Sequence, residues 1–420
     1  MGRLAVVFWT LRAGIVLLLS LVLLGASTAP LRGPDAQFHR YTAALEFDFL
    51  GWTVDAAAGK LGQWALATTG YLGLDDRTAV VRHLFTRIDE SERLQADLTA
   101  GFADSAEGSE ATHAQADELD RVRLQLSRLQ PAAESILAEQ AAVILEAEGL
   151  SPLGAAFPPV SFRLSQLPVA LVVSPRDVIR QDALIQMDPG LPLAQQMTLE
   201  ARVEREQSVS ALVVPVGGIG TYPTMVQETG AMAWVVEVVL HEWTHNLLTL
   251  RPLGLSYDAS PELRTMNETT AQLMGQALGQ RLLARYYPDL LPPPVEPAPP
   301  AAETAAPSFD FRGEMHATRV TVDAMLAEGK VAEAEAYMEA RRQVFVAHGY
   351  NLRRLNQAYF AFYGAYADVP QGAAGEDPIG AAVRALWARA ATPAEFLRIM
   401  APMDSVEDLE RALGAPITTR

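Results

Sequence analysis

The chain of 420 residues contains no cysteine. That excludes disulfides, thiolate metal ligands, cysteine nucleophiles and lipids attached through a thiol. Positive charge is scarce as well: 33 Lys and Arg stand against 50 Asp and Glu, a net charge of −17, with no long basic run. Such a surface repels phosphate backbones and anionic headgroups, so nucleic acid is not an expected partner. Histidine is rare, at seven residues, so two histidines on one short stretch carry weight.

Long apolar runs are confined to the N-terminus. Arg3 and Arg12 precede AGIVLLLSLVLLGAS, and Arg12 is the one charge between Leu4 and Ala26. A basic start, an apolar centre and small residues near Gly25, Ala26 and Ser27 describe a signal peptide; the length also suits an uncleaved membrane anchor. Residues 1–28 are therefore expected to export the rest of the chain, as a secreted or membrane-attached protein.

Residues 29–150 have a helical texture. FDFLGWTVDAAAGKLGQWAL, residues 76–88 and residues 116–150 place apolar side chains at three- and four-residue steps. Pro131 marks a kink or a junction in the last of these, and GFADSAEGSEATHAQ before it reads as a loop. After Gly149 the texture changes. VSFRL, PVALVVSP, DALIQM and SALVVPVGG are short, β-branched and bounded by Pro, Gly or Asp, so they read as strands, with a helix over 193–207. GIGTYPTMVQETG reads as a turn-rich connector. Residues 291–308 form a Pro/Ala-rich linker between a catalytic region, 151–290, and a C-terminal helical region, 309–420. The expected class is α+β and predominantly helical, with a small mixed sheet beside one central helix.

That helix is VVEVVLHEWTHNLLTL. His241-Glu242-Trp243-Thr244-His245 matches H-E-x-x-H. Residues four apart share a helix face, so both imidazoles can reach one ion, and Glu242 beside them can take a proton from a water held there. Chance produces this match in such a chain on the order of one time in a hundred. The flanking Val238, Val239, Leu240, Leu247 and Leu248 are uncharged. Burying His-Glu-His in an apolar helix costs free energy without a compensating role.

A catalytic zinc needs a third protein ligand. NLLTLRPLGL follows His245, so the Gly and third His of H-x-x-G-x-x-H are missing. The acids downstream are Asp258, Glu262 and Glu268. Asp258 lies in a loop, and Glu262 follows Pro261 at a helix start, where an acid complements the dipole. Glu268 lies within TMNETTAQLMGQALGQRLLARYY, a helix that can aim a carboxylate rigidly. His241, His245 and Glu268 are the expected ligands of Zn2+. Asn267 is expected to face another side of its helix and brace nearby backbone.

H-E-W-T-H followed by N-E-T-T-A resembles the gluzincin zinc metallopeptidases, and among them is similar to bacterial aminopeptidase-like proteins that are exported or membrane-attached. The resemblance covers about residues 160–287. It implies a zincin-like fold whose sheet precedes the active helix and whose edge strand binds extended peptide; SALVVPVGGIGTYP stands where that strand belongs. Thermolysin-like members carry an aspartate one turn after the glutamate ligand to orient a histidine. Here that position is Gln272, so the bracing must differ, with Glu237 as the available substitute.

An amide carbonyl attacked by water develops an oxyanion, which a second donor stabilises. RRLNQAYFAFYGAYAD offers Arg353, Arg354, Asn356, Tyr359, Tyr363 and Tyr366, and Tyr359 and Tyr363 are the chosen candidates because their spacing puts them on one face. The same tyrosines also fit a core aromatic stripe. His316 and His348 are further candidates. GGIGTYPTM, with Gly217, Gly218 and Gly220, lacks the lysine of a phosphate loop and reads as a substrate loop or tight turn.

The expected function is zinc-dependent hydrolysis of peptide or protein outside the cytoplasm, with water on zinc activated by Glu242, which then protonates the leaving amine. Endopeptidase and aminopeptidase both fit these residues. The alternative is a non-catalytic extracytoplasmic helical binding or scaffold protein with a structural or vestigial metal site.

Overall fold

The computed structural model describes residues 34–66, 72–104, 110–151, 154–216, 218–291, 309–363 and 378–417. The apolar N-terminal run and nearly all of the Pro/Ala-rich linker lie outside the described residues, as do Gly217 and Tyr366. The protein is predominantly helical with two small sheets, an α+β fold. Among the described residues no helix is long and apolar enough to cross a membrane.

A 3₁₀ turn at Pro34–Gln37 and the short helix α1 (His39–Thr42) lead into α2 (Phe49–Leu66), α3 (Leu74–Asp104) and α4 (Glu110–Ala147). Of the loop expected over residues 101–115, the described residues are helical, with α3 running through Asp104 and α4 starting at Glu110, and residues 105–109 lie outside the described residues. Pro131 lies inside α4 without ending it. Buried Val122, Leu126, Ala133, Ile136 and Leu137 pack with Val81, Leu84, Phe85 and Ile88 of α3 on both sides of the proline. That burial outweighs the hydrogen bond the proline removes.

Six strands follow: β1 (Phe162–Ser165), β2 (Val169–Pro175), β3 (Ala183–Met187), β4 (Val209–Pro215), β5 (Gly218–Ile219) and β6 (Thr224–Gln227), with α5 (Leu193–Gln207) between β3 and β4. The first sheet, β3-β2-β4, is antiparallel. Its strands are mostly apolar, with Ser174, Gln186 and Ser210 as exceptions, because helices cover both faces. Ala170, Val172, Leu212 and Val214 face one core, while Leu171, Val173, Ala211 and Val213 face another, formed with Phe38, Tyr41, Leu199 and Val203. The second sheet, β1-β6-β5, is mixed: β1 and β6 are parallel, β5 and β6 antiparallel. The connector after β4 thus holds two strands that its Gly- and Pro-rich sequence concealed.

Next come α6 (Met232–Leu248), α7 (Pro252–Leu255) and α8 (Pro261–Tyr286), then α9 (Phe311–Ala327), α10 (Val331–Ala347), α11 (Gln357–Tyr363), α12 (Pro378–Arg389), α13 (Pro393–Met400) and α14 (Val406–Leu413). The region after the linker divides in space. Phe311, Met315, Met338, Phe345 and Phe360 cover one face of the antiparallel sheet. Ile379, Val383, Phe396 and Leu409 instead join the core that holds α3, α4, α6 and α8.

Candidate metal centre

The centre is built by α6 and α8. Val235, Val236, Val239, Leu240 and Trp243 bury one side of α6. Trp243 Nε1 donates to the Pro158 carbonyl at 2.8 Å, and Asn246 Nδ2 donates to Thr224 Oγ1 on β6 at 2.9 Å, fixing the helix against the mixed sheet. Ser260 caps α8 by accepting from Leu263 N, with Pro261 in the first turn and Glu262 as its acid. Gly275 lets the two helices meet: a Cβ there would lie 2.9 Å from both His241 Cβ and the Glu237 carbonyl oxygen. Any side chain at that position would push α8, and with it Glu268, away from the histidines.

His241, His245 and Glu268 converge, with one ligand atom from each lying within 4.8 Å of the others. The two Nε2 atoms are 3.0 Å apart. Glu268 Oε2 is 3.6 Å from that of His241 and 3.4 Å from that of His245. The two competing acids are elsewhere: Asp258 is exposed and bonded to Arg264 at 2.8 Å, and Glu262 stays in the first turn of α8.

Two supports escaped the sequence reading. Asn267 does brace backbone, since Nδ2 donates to the Leu253 carbonyl at 3.2 Å, but its Oδ1 also meets His245 Nδ1 at 2.7 Å. That contact presents Nε2 of the imidazole to the cluster. Tyr257, between α7 and α8, donates its hydroxyl to Glu268 Oε1 at 2.5 Å. Glu237 does not substitute as a histidine brace. Its Oε1 accepts from Gln272 Nε2 at 2.8 Å, so these two side chains satisfy one another.

Glu242 follows His241 and is buried, yet its carboxylate makes no hydrogen bond among the described residues. β5 lies over it. A Cβ on Gly218 would collide with Glu242 Oε1, and one on Gly220 would be 3.8 Å from Oε2. The glycines allow a strand to approach the carboxylate closely. Burial raises the Glu242 pKa, an effect that the His245 and His241 charges oppose and Glu268 reinforces. Burial alone would lower the His245 pKa, but the Glu268 charge, helped by Glu242 and Asn267, lifts it to about 9. Burial likewise opposes ionisation of Glu268, and the two histidines overcome it, holding its pKa well below the usual carboxylate range.

The donor set fits zinc. Two imidazole nitrogens and one carboxylate oxygen are the ligand types of catalytic zinc sites. Glu268 Oε2 is buried without a hydrogen-bond partner, an orphaned anionic atom aimed at two imidazoles.

The remaining candidates lie in the other half of the molecule. Tyr359 and Tyr363 pack on each other, ring centroids 4.6 Å apart, in the core of the antiparallel sheet. None of the hydrogen bonds or ring contacts of His241, Glu242, His245 and Glu268 reaches them. Arg353 is bonded to Glu200, Arg354 to Glu200 and Glu204, and Asn356 Nδ2 to the Ala211 carbonyl. His348 stacks on Phe309, and His316 is exposed on α9. Set against protein-family models, curated protein sequences and solved structures, the chain matches none of them.

Proposed function

We propose that the protein is a zinc-dependent peptide hydrolase of the gluzincin type, with a zincin-like catalytic region, working outside the cytoplasm and tethered or exported through its N-terminal segment. The observation that carries this reading is the unbonded Glu242 carboxylate beside the converging His241, His245 and Glu268, under the edge strand β5.

Zinc bound by these three side chains would supply Lewis acidity toward water and toward the substrate carbonyl. The chain's own residues do the rest. Asn267 orients His245, and Glu268 sets the charge of the ligand shell. Glu242 accepts a proton from the attacking water and returns it to the departing amine. Burial makes this carboxylate a stronger base than an exposed glutamate, and among the described residues it has no hydrogen bond to break before it acts. Among the described residues β5 pairs on one side only, with β6. Its open edge suits an extended peptide that adds as a further strand, and Gly218 keeps side-chain bulk out of the space between that peptide and Glu242.

The test is a peptide-library digest with the zinc-loaded protein, a chelated sample and Glu242→Gln. Cleavage in the first alone, with zinc retained in the variant, supports the proposal; the loss in Glu242→Gln is expected to be about 10²- to 10⁴-fold. Equal turnover in the variant removes Glu242 from its role. Zinc retention with no cleavage by the wild type reduces the centre to a structural site.

A further inference from the structure

The two oxygens of Glu268 stand in different surroundings. Oε1 accepts the Tyr257 hydroxyl at 2.5 Å, within the range of a charge-assisted O–H···O⁻ bond. Oε2 faces His241 and His245 and has no hydrogen-bond partner. A carboxylate with both oxygens free can offer both to one ion; this one has one oxygen already committed. We propose that Tyr257 is a positioning residue that confines Glu268 to a single ligand oxygen, so that the metal keeps a coordination position open for water or substrate. This rests on the proposed zinc hydrolase function and deepens it.

The surroundings of Tyr257 support a fixed role. Its ring meets the His245 imidazole edge-on, centroids 6.2 Å apart at 87°. The Arg264 guanidinium lies 5.4 Å from the ring centroid, and Arg264 is itself tied to Asp258. The phenol is therefore held between a ligand and an ion pair. The short segment after α6 braces the centre twice: the Leu253 carbonyl holds Asn267, which holds His245, and Tyr257 holds Glu268. A closed zinc site is structural, whereas a catalytic one keeps a position open. A second Glu268 oxygen on the metal would raise the coordination number and crowd that position.

The experiment is cobalt substitution of the full protein and of Tyr257→Phe, read by visible absorption, with Glu262→Ala as a control. Wild type and Glu262→Ala should share the intense bands of a four-coordinate ion. Tyr257→Phe, which frees Oε1, should lose intensity toward the weaker five-coordinate pattern. An unchanged spectrum in Tyr257→Phe overturns the proposal. Should that variant fail to fold, a crystal structure of the zinc-loaded wild type decides: Glu268 bound through one oxygen with Tyr257 on the other supports it, and binding through both oxygens overturns it. Failure of the wild type to take up cobalt or zinc sinks the hydrolase reading itself, and this inference with it.

Discussion

Two buried carboxylates in the two halves of the molecule are treated in opposite ways. Glu200, on α5 beside the antiparallel sheet, is saturated: it accepts from Val213 N at 2.7 Å, from Arg353 at 2.5 and 2.8 Å, and from Arg354 at 3.3 Å. Glu268, on α8, has one hydroxyl on one oxygen and no hydrogen-bond partner on the other. The contrast recurs within the core that holds α8. Glu134 of α4 binds Lys60 at 2.5 Å, Gln130 at 2.7 Å and Leu164 N at 2.8 Å, while Glu242 has no hydrogen bond among the described residues. Burying an ionised carboxylate is tolerable when every lone pair is met. Lone pairs left unmet beside two imidazoles are what the proposed zinc site requires.

This contrast can be broken from either side. The largest expected effect is on Glu200. Replacing it by alanine leaves Val213 N and Arg353 without their acceptor and should cost about 1–3 kcal/mol of stability, read by denaturant unfolding, while zinc affinity at a permissive temperature stays unchanged. A stable Glu200→Ala variant would mean that saturation there is incidental. Next is Asn267→Ala, which releases His245 Nδ1 and should weaken zinc binding by about 10- to 100-fold with little change in fold. An unaltered Kd from competition with a chromogenic chelator would strip Asn267 of its orienting role.

The proton on His245 gives a third handle. Its pKa of about 9 lies above the ordinary value, so in the metal-free protein the ring is charged at neutral pH. A metal must displace that proton. Zinc affinity should therefore rise about tenfold per pH unit below about 9 and level off above it. The metal-free fold should move the opposite way: the stabilisation from protonated His245 is full below the unfolded histidine value and is lost as pH rises toward 9. Proton release measured by calorimetry in two buffers checks the stoichiometry, and a flat pH profile between 6 and 8 contradicts it. The smallest effect is expected for Asp258→Ala and Glu262→Ala, whose zinc Kd should match wild type; metal loss in either one moves the third ligand away from Glu268.

The helix carrying H-E-x-x-H and strands β1 to β4 were legible because local patterning decides them: an apolar face at helical spacing, and short apolar runs bounded by Pro, Gly or Asp. The acid that joins the histidines was legible because α8 is long and regular. β5 and β6 were not, since two to four residues among glycines carry no periodic signal and their pairing is set by β1 and α6. The roles of Arg353 and Arg354 were hidden for another reason. Their partners Glu200 and Glu204 lie about 150 positions away, and an arginine near tyrosines reads the same whether it faces substrate or a structural acid. Tyr257 sits in a loop whose sequence marks only a turn, and its function depends on where α7 and α8 cross. The C-terminal helices, read as one region, divide between two cores because each presents its apolar face to a different neighbour.

The most direct measurement is the zinc content of the purified full-length protein beside His245→Ala, by elemental analysis after mild chelation and readdition of zinc. The account predicts about one zinc per wild-type chain and almost none in the variant. Equal zinc in both, or none in the wild type, would contradict it.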